Sequence, residues 1–153
     1  MIDIDHFKKV NDTWGHLVGD QVLAAVAHSL AGQLRPYDIA GRFGGEEFAV
    51  LQLSTTEATA RLVAERLRSC VSATSPLPGS ALRVTVSIGV AVAIPVREDH
   101  RDLVAAADEA MYQAKRAGRN RVRPAGPGSG QPPYRQGEVC HISPGGFAGL
   151  RSI

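Results

Sequence analysis

Residues 82–94 carry the pattern that most restricts the fold of this chain. Apolar side chains occupy every second position from Leu82 to Ile94, and smaller or polar residues stand between them. Successive side chains of a β-strand point to opposite faces of a sheet, so this alternation predicts a strand with one buried face.

Strand and helix patterns alternate along the rest of the chain. Met1–Asp5 is typical of a strand end, and apolar residues over Val22–Leu34 recur at helical spacing. Two strands are predicted around Ile39–Phe43 and Phe48–Leu53. A capping box at Ser54–Glu57 then predicts the start of the next helix.

A last helix is predicted from the helical spacing of four apolar residues, Leu103, Ala107, Met111 and Ala114. The resulting order β-α-β-β-α-β predicts an α+β fold of the ferredoxin-like, palm type, with helices packed on the sheet. In that topology the first strand is central and pairs antiparallel with the third. The end of the first strand and the turn of the central hairpin then lie at the same edge.

Composition indicates one domain over 1–123 and a tail over 124–153. The tail holds 5 of the 9 prolines and 7 of the 16 glycines, too polar and flexible a composition to form a core, so we expect it to be disordered. The net charge of +2 does not favour nucleic-acid binding. No apolar run is long enough for a membrane segment, which makes a cytoplasmic location the expectation.

The predicted hairpin turn combines two glycines with two acids, Gly44, Gly45, Glu46 and Glu47. Glycine lets a ligand approach the main chain, and carboxylates supply the hard oxygen ligands that Mg²⁺ prefers. The same residues also fit an ordinary hairpin whose acids are simply solvated.

The predicted topology favours the first of these interpretations. Asp3 ends the first strand, so it should converge with Glu46, and the carbonyl of Ile4 lies nearby. Such a group suits one or two Mg²⁺ ions that carry the phosphates of a substrate.

Eight short motifs along the chain together resemble one family. They are Asp3–Lys8, Asn11–Asp12, Gly15–His16, Gly19–Asp20, Gly44–Phe48, Val86–Val90, Tyr112–Lys115 and Gly118–Asn120. From Ile2 to about Val122 the chain resembles the GGDEF-type diguanylate cyclases, with Glu at the variable third position of the signature. The resemblance implies a homodimer that condenses two GTP molecules into cyclic di-GMP and releases pyrophosphate.

The resemblance also implies roles for the acids. Asp3 and Glu46 would bind Mg²⁺ or Mn²⁺ with help from the Ile4 carbonyl. Glu47 would be a further metal ligand or would help to deprotonate the ribose 3′-hydroxyl. The alternative for Asp3 is a solvated acid at a strand end.

Lys8, Lys115 and Arg119 resemble the residues that contact the triphosphate, with Lys115 and Arg119 one helical turn apart on one face. The alternative is a solvated basic helix end, which the helix dipole favours. Asn11 and Asp20 would read the guanine edge. Asp20 also fits a helix N-cap.

His16 and Phe7 would shape the pocket. A second site resembles the family's Arg-x-x-Asp motif at Arg35 and Asp38, with Arg66 as a second arginine. The planar guanidinium group of arginine can form paired hydrogen bonds to phosphate and to guanine. The resemblance therefore implies that this site binds the product and causes feedback inhibition. The alternative is a helix-end arginine followed by a turn.

Family members continue upstream with a helix and most of the first strand, which we expect this chain to lack. Two alternative functions therefore remain. The first is a diguanylate cyclase, and its intact acids and cations favour it. The second is a truncated, non-catalytic protein that binds cyclic di-GMP or GTP, which the late start favours.

Overall fold

The computed structural model describes residues 1–93, 100–126 and 151–152, which form four helices and six strands. In chain order these are β1 (Ile2–Ile4), α1 (Phe7–Trp14), α2 (His16–Ala31), β2 (Ile39–Gly44), β3 (Glu47–Leu51), α3 (Glu57–Ala73), β4 (Val86–Val90), α4 (His100–Arg116), β5 (Val122–Pro124) and β6 (Arg151–Ser152).

The strands form one sheet in the order β5-β4-β1-β3-β2-β6. β1 lies inside the sheet and pairs antiparallel with β3 on one side and with β4 on the other, while β4 and β5 are parallel. The predicted α+β class, with a central first strand paired to the third, is confirmed. The main apolar cluster joins α1, α2 and α3 to the sheet.

β4 is shorter and more deeply buried than predicted. It spans Val86–Val90 rather than 82–94, and residues 81–85 and 91–93 have no regular structure, while Ile94 lies outside the described residues. The hydrogen-bond ladder of β4 can extend only as far as its partner strands do. Both partners, β1 and β5, have three residues.

The prediction of a single buried face for this strand was wrong. Ser87 and Gly89, on the face expected to be solvated, are buried, because α4 covers that face. A Cβ at Gly89 would overlap the Ala107 carbonyl oxygen and the Met111 main-chain nitrogen, so only glycine allows this approach.

The predicted capping box was also wrong. Thr56 is the N-cap of α3, in extended conformation, and its hydroxyl oxygen accepts a hydrogen bond from the Thr59 main-chain nitrogen at 3.2 Å. Ser54 has φ 49°, whereas an N-cap residue needs extended backbone, so Ser54 cannot serve. The chain between β1 and α2 forms a separate helix, α1, which the sequence patterns did not predict.

The expected disorder of 124–153 concerns mainly residues 127–150 and 153, which lie outside the described residues. Of the remainder, Pro124 ends β5, and the two residues of β6 pair antiparallel with Gly41 and Arg42 of β2. The domain boundary at 123 stays a prediction. Among the described residues, no helix has the length and hydropathy needed to cross a membrane.

Candidate active site

Asp3 lies beside the acids of the hairpin turn. It is directly opposite Glu47 in the β1–β3 ladder, and the main-chain nitrogen of Ile4 donates to the carbonyl of Glu46 at 3.3 Å. The ladder register therefore brings together acids that are more than 40 positions apart in the sequence.

Asp3 is a buried carboxylate with one cationic partner. Its side chain is 6% exposed, and its Oδ2 lies 2.7 Å from the Lys115 Nζ. Burial raises the pKa of Asp3; the Lys115 hydrogen bond and charge oppose this, and the charges of Glu46 and Glu47 add to it. Asp3 thus has Lys115 as an ion-pair partner and two further acids nearby, an arrangement of negative charge that suits a bound cation.

The chemistry of these donors fits a magnesium ion with an incomplete protein shell. Among the described residues, no three His, Cys, Asp or Glu side chains form a metal cluster of their own. Mg²⁺ is commonly bound by one or two carboxylates together with water and substrate phosphates. Asp3, one turn acid and the Ile4 carbonyl could provide such a partial shell.

The hairpin turn is held by an arginine that the sequence patterns did not single out. Gly45 and Glu46 form the turn, Gly45 has φ 46°, and the ladder shifts register between Arg42 and Gly44. The Arg42 Nε donates to the Gly45 carbonyl at 2.8 Å. Glu46 and Glu47 are half-buried beside Asp3, unlike the acids of a simple solvated turn.

A cleft of about 460 Å³ adjoins the turn. Ten residues line it, namely Phe7, Lys8, Asn11, Asp12, His16, Asp20, Leu23, Arg42, Gly45 and Glu46. The structure thus brings together most of the residues predicted for substrate binding. Asp12, Leu23 and Arg42 are additional lining residues, and their only signal in the sequence is proximity to the motifs. The size is that of a small-ligand pocket.

Asn11 is fixed in the cleft by the close crossing of α1 and α2. Gly19 is buried there, and a Cβ on it would overlap the Asn11 Oδ1.

Asp20 is exposed within α2, whose N-cap is Gly15, five residues earlier. The alternative role of Asp20 as an N-cap is therefore wrong, because the helix starts before it.

Lys115 and Arg119 do not share a helical face as predicted. α4 ends at Arg116, and the chain then enters a left-handed stretch with φ values of 113° at Gly118 and 61° at Arg119. A left-handed glycine after a helix is a common terminator. Arg119 still lies near the helix end, because its main-chain nitrogen donates to the Ala114 carbonyl at 3.1 Å.

The proposed second site forms a compact turn. The main-chain nitrogen of Arg35 donates to the Asp38 Oδ2 at 3.0 Å, and the Arg35 guanidinium lies 5.9 Å from the ring centroid of Tyr37. Arg66 reaches the same segment, since its Nη2 donates to the Gln33 carbonyl at 2.7 Å. α2 ends at Ala31, so Arg35 is not a residue of a helix end.

Comparisons with known proteins agree with this geometry. The sequence matches the family "Diguanylate cyclase, GGDEF domain" over residues 1–121. It is 45% identical over 125 residues to the probable diguanylate cyclase DgcT of Escherichia coli, covering 80% of this chain and 28% of that protein. The chain therefore spans less than a third of the length of this curated relative.

Solved structures give the same result. The GGDEF domain of DgcB from Caulobacter crescentus in complex with c-di-GMP has a TM-score of 0.75 and 40% identity, covering 81% of this chain and 74% of that one. The active GGEEF domain of a diguanylate cyclase from Vibrio cholerae has a TM-score of 0.76 and 34% identity, covering 82% and 80%. The chain belongs to the GGDEF-domain family of diguanylate cyclases.

Proposed function

We propose that this chain is a diguanylate cyclase domain that condenses two GTP molecules into cyclic di-GMP and releases two pyrophosphates. One observation carries the proposal: Asp3, paired with Lys115, lies opposite Glu47 next to the cleft of Asn11 and Asp20. The acids that would bind a metal ion therefore lie next to a pocket large enough for a nucleotide. GTP is a cytoplasmic metabolite, which places the proposed reaction in the cytoplasm.

The proposed chemistry is an in-line phosphoryl transfer. The ribose 3′-oxygen of one GTP attacks the α-phosphorus of the other, and the bond from that phosphorus to the bridging oxygen breaks. Pyrophosphate leaves with the bonding electrons, and the hydroxyl proton passes to a base, for which Glu47 is the candidate. A second, identical attack closes the ring. Such reactions depend on positioning and on neutralising phosphate charge.

The geometry supports a proposed set of metal and phosphate ligands. Asp3, Glu46 and the Ile4 carbonyl would hold Mg²⁺ or Mn²⁺, with Glu47 as a further ligand or as the base. When bound, the metal neutralises charge on the phosphate oxygens. Lys8 on the cleft wall, Lys115 and Arg119 would contact the triphosphate as the cationic residues.

The cleft wall would select the base. Asn11 and Asp20 offer an amide and a carboxylate for the guanine edge, and His16 shapes the same pocket. Gly44 and Gly45 have open space where a Cβ would stand, so the triphosphate could lie directly on the turn.

The reaction favours a homodimer as the working unit. The product contains two equivalent nucleotides, and the cleft beside the turn would hold one of them. Two copies related by a two-fold axis would place each 3′-hydroxyl against the other nucleotide's α-phosphorus. The alternative, a truncated protein that binds cyclic di-GMP or GTP without turnover, predicts binding but no product.

Incubation of the purified full chain with GTP and Mg²⁺ tests the proposal. We expect cyclic di-GMP and pyrophosphate in a ratio of one to two, measured by chromatography and a pyrophosphate-release assay. Omission of the divalent metal should abolish both products. A folded, dimeric sample that binds cyclic di-GMP but forms none would contradict the cyclase and support the non-catalytic alternative.

The product site has its own test. Arg35 and Asp38 lie in one turn, Arg66 on α3 reaches the Gln33 carbonyl beside that turn, and the related DgcB domain was solved with c-di-GMP. We expect Arg35→Ala to weaken cyclic di-GMP binding at least about tenfold by calorimetry, since charge-assisted bonds to a ligand contribute about 1.5–3 kcal/mol. Arg61→Ala, exposed on α3, is the control. Undiminished binding by Arg35→Ala would remove this assignment.

A further inference from the structure

Arg119 and Asn120 are consecutive non-glycine residues in the left-handed region, with φ values of 61° and 45°. Asparagine tolerates this region, but for a residue such as Arg119 the conformation costs on the order of 1 kcal/mol or more and persists only where the surroundings impose it. The strain therefore indicates that several contacts hold this stretch.

Three hydrogen bonds hold the backbone around Arg119. Its main-chain nitrogen donates to the Ala114 carbonyl at 3.1 Å, and its carbonyl accepts from the Arg121 Nε at 2.9 Å. The main-chain nitrogen of Asn120 donates to the Asp5 Oδ2 at 3.0 Å. The peptide group between Arg119 and Asn120 is thus bonded on both sides.

Asp5 is itself fixed. It is 4% exposed, and its carboxylate also accepts bonds from the hydroxyls of Thr85 at 2.6 Å and Ser87 at 2.7 Å. Because Asp5 follows Asp3 and Ile4 at the end of β1, it ties Arg119 to the edge of the sheet that carries the acids.

A fourth contact comes from a different element. The Nη1 of Arg68, on α3, donates to the Asn120 Oδ1 at 2.7 Å, and Glu65 holds the same guanidinium through its Oε1 at 3.0 Å. Across the residues that the structure describes, the Arg119 guanidinium itself makes no hydrogen bond or ion pair. The backbone of Arg119 is fixed while its charged group is left for a ligand.

We propose that Arg68, acting through Asn120, is a positioning residue that holds Arg119 in its left-handed conformation for contact with the triphosphate of a nucleotide. The inference rests on the proposed role of Arg119 and adds a residue 51 positions away that no motif identified. Among the described residues, Arg68 neither lines the cleft nor contacts Asp3, Glu46 or Glu47, so its effect on the ligand would pass through Arg119.

Calorimetric binding of an α,β-methylene GTP analogue with Mg²⁺ tests the inference, with GMP as the probe that lacks the outer phosphates. We expect Arg68→Met to weaken analogue binding about tenfold, the loss typical of one misplaced charged hydrogen bond, and to leave GMP binding unchanged. Arg68→Lys retains a donor and should recover part of the affinity. Arg61→Met, on the same helix, should bind both probes as the parent does.

A double variant separates positioning from general loss of structure. If Arg68 acts through Arg119, Arg68→Met should have no further effect on analogue binding in an Arg119→Ala background. Thermal unfolding curves show at which temperature all variants are folded, so that binding can be compared at that temperature. Equal losses for the analogue and GMP, or losses that add in the double variant, would overturn the inference.

The proposed roles of Arg119 and Arg68 can be disproved separately. If Arg119→Ala binds the analogue as tightly as the parent, the proposed role of Arg119 is wrong. If Arg119→Ala binds weakly but Arg68→Met binds normally, only the positioning role of Arg68 is wrong.

Discussion

Asp3→Asn is expected to lower cyclic di-GMP formation by about 10³-fold or more while the apo protein becomes more stable at neutral pH. The loss of rate follows because Asn supplies no charge to the metal and phosphates, and single groups of this kind typically contribute several kcal/mol to transition-state stabilisation. Stability should change in the opposite direction, because the pKa of Asp3 is raised in the folded chain, mainly by burial.

The sign of the pH dependence follows from the raised pKa. Below the pKa of the unfolded chain, about 3.9, Asp3 is protonated in both states and does not oppose folding. As the pH rises through the folded pKa, ionising the buried group costs stability, and Asn avoids this cost. The Asn oxygen can still accept from Lys115.

Urea unfolding at pH 7 and at pH 3.5, with and without Mg²⁺ and a GTP analogue, measures both effects. The stability gain of Asp3→Asn should shrink at the lower pH, and stabilisation by the metal and nucleotide should be lost. Asp102→Asn, an exposed acid in the first turn of α4, is the matched control and should change neither rate nor stability appreciably. Normal turnover by Asp3→Asn would contradict the site.

Gly89→Ala is expected to lower the free energy of unfolding by at least about 3 kcal/mol, a large part of the roughly 5–15 kcal/mol of a typical domain. The added methyl group would overlap main-chain atoms of Ala107 and Met111, and neither can move without shifting α4 from the sheet. Overpacking against side chains commonly costs about 1–3 kcal/mol, and backbone yields less readily.

Gly32→Ala provides the comparison. Gly32 has φ −66°, and the nearest atom to an added Cβ is the His28 carbonyl oxygen at 3.5 Å. Alanine fits there, so stability should change by less than about 1 kcal/mol. Urea denaturation midpoints of the two variants decide the question, and an unchanged midpoint for Gly89→Ala would show that α4 is free to shift.

The sequence predicted topology better than element limits. The order of patterns was sufficient for the central position of β1 and its pairing with β3, because a ferredoxin-like order allows few arrangements. It could not predict that β4 stops at Val90 or that both its faces are buried. Those properties depend on the contacts of β4 with the three-residue strands β1 and β5 and with helix α4. These contacts join residues that are distant in the sequence.

Local signals failed where backbone conformation decided the outcome. Ser54 was predicted to open a capping box and Arg119 to share a helical face with Lys115, yet both adopt positive φ. The roles of Asp5 and Arg68 had no local signal, since their partners lie at Thr85, Ser87 and Asn120. By contrast, Lys8, Asn11, His16 and Asp20 were identified because their motifs resemble those of the GGDEF family, and they line one cleft in the structure.

The central position of β1 has a consequence for how activity would be lost. Although β1 lies next to the first residue, its amides lie between two strands, so they should exchange with solvent far less often than those of surface loops. Asp3 is carried by this strand. The carboxylate proposed to bind the metal should therefore keep its place when surface loops open, and we expect it to be lost only in the global unfolding transition.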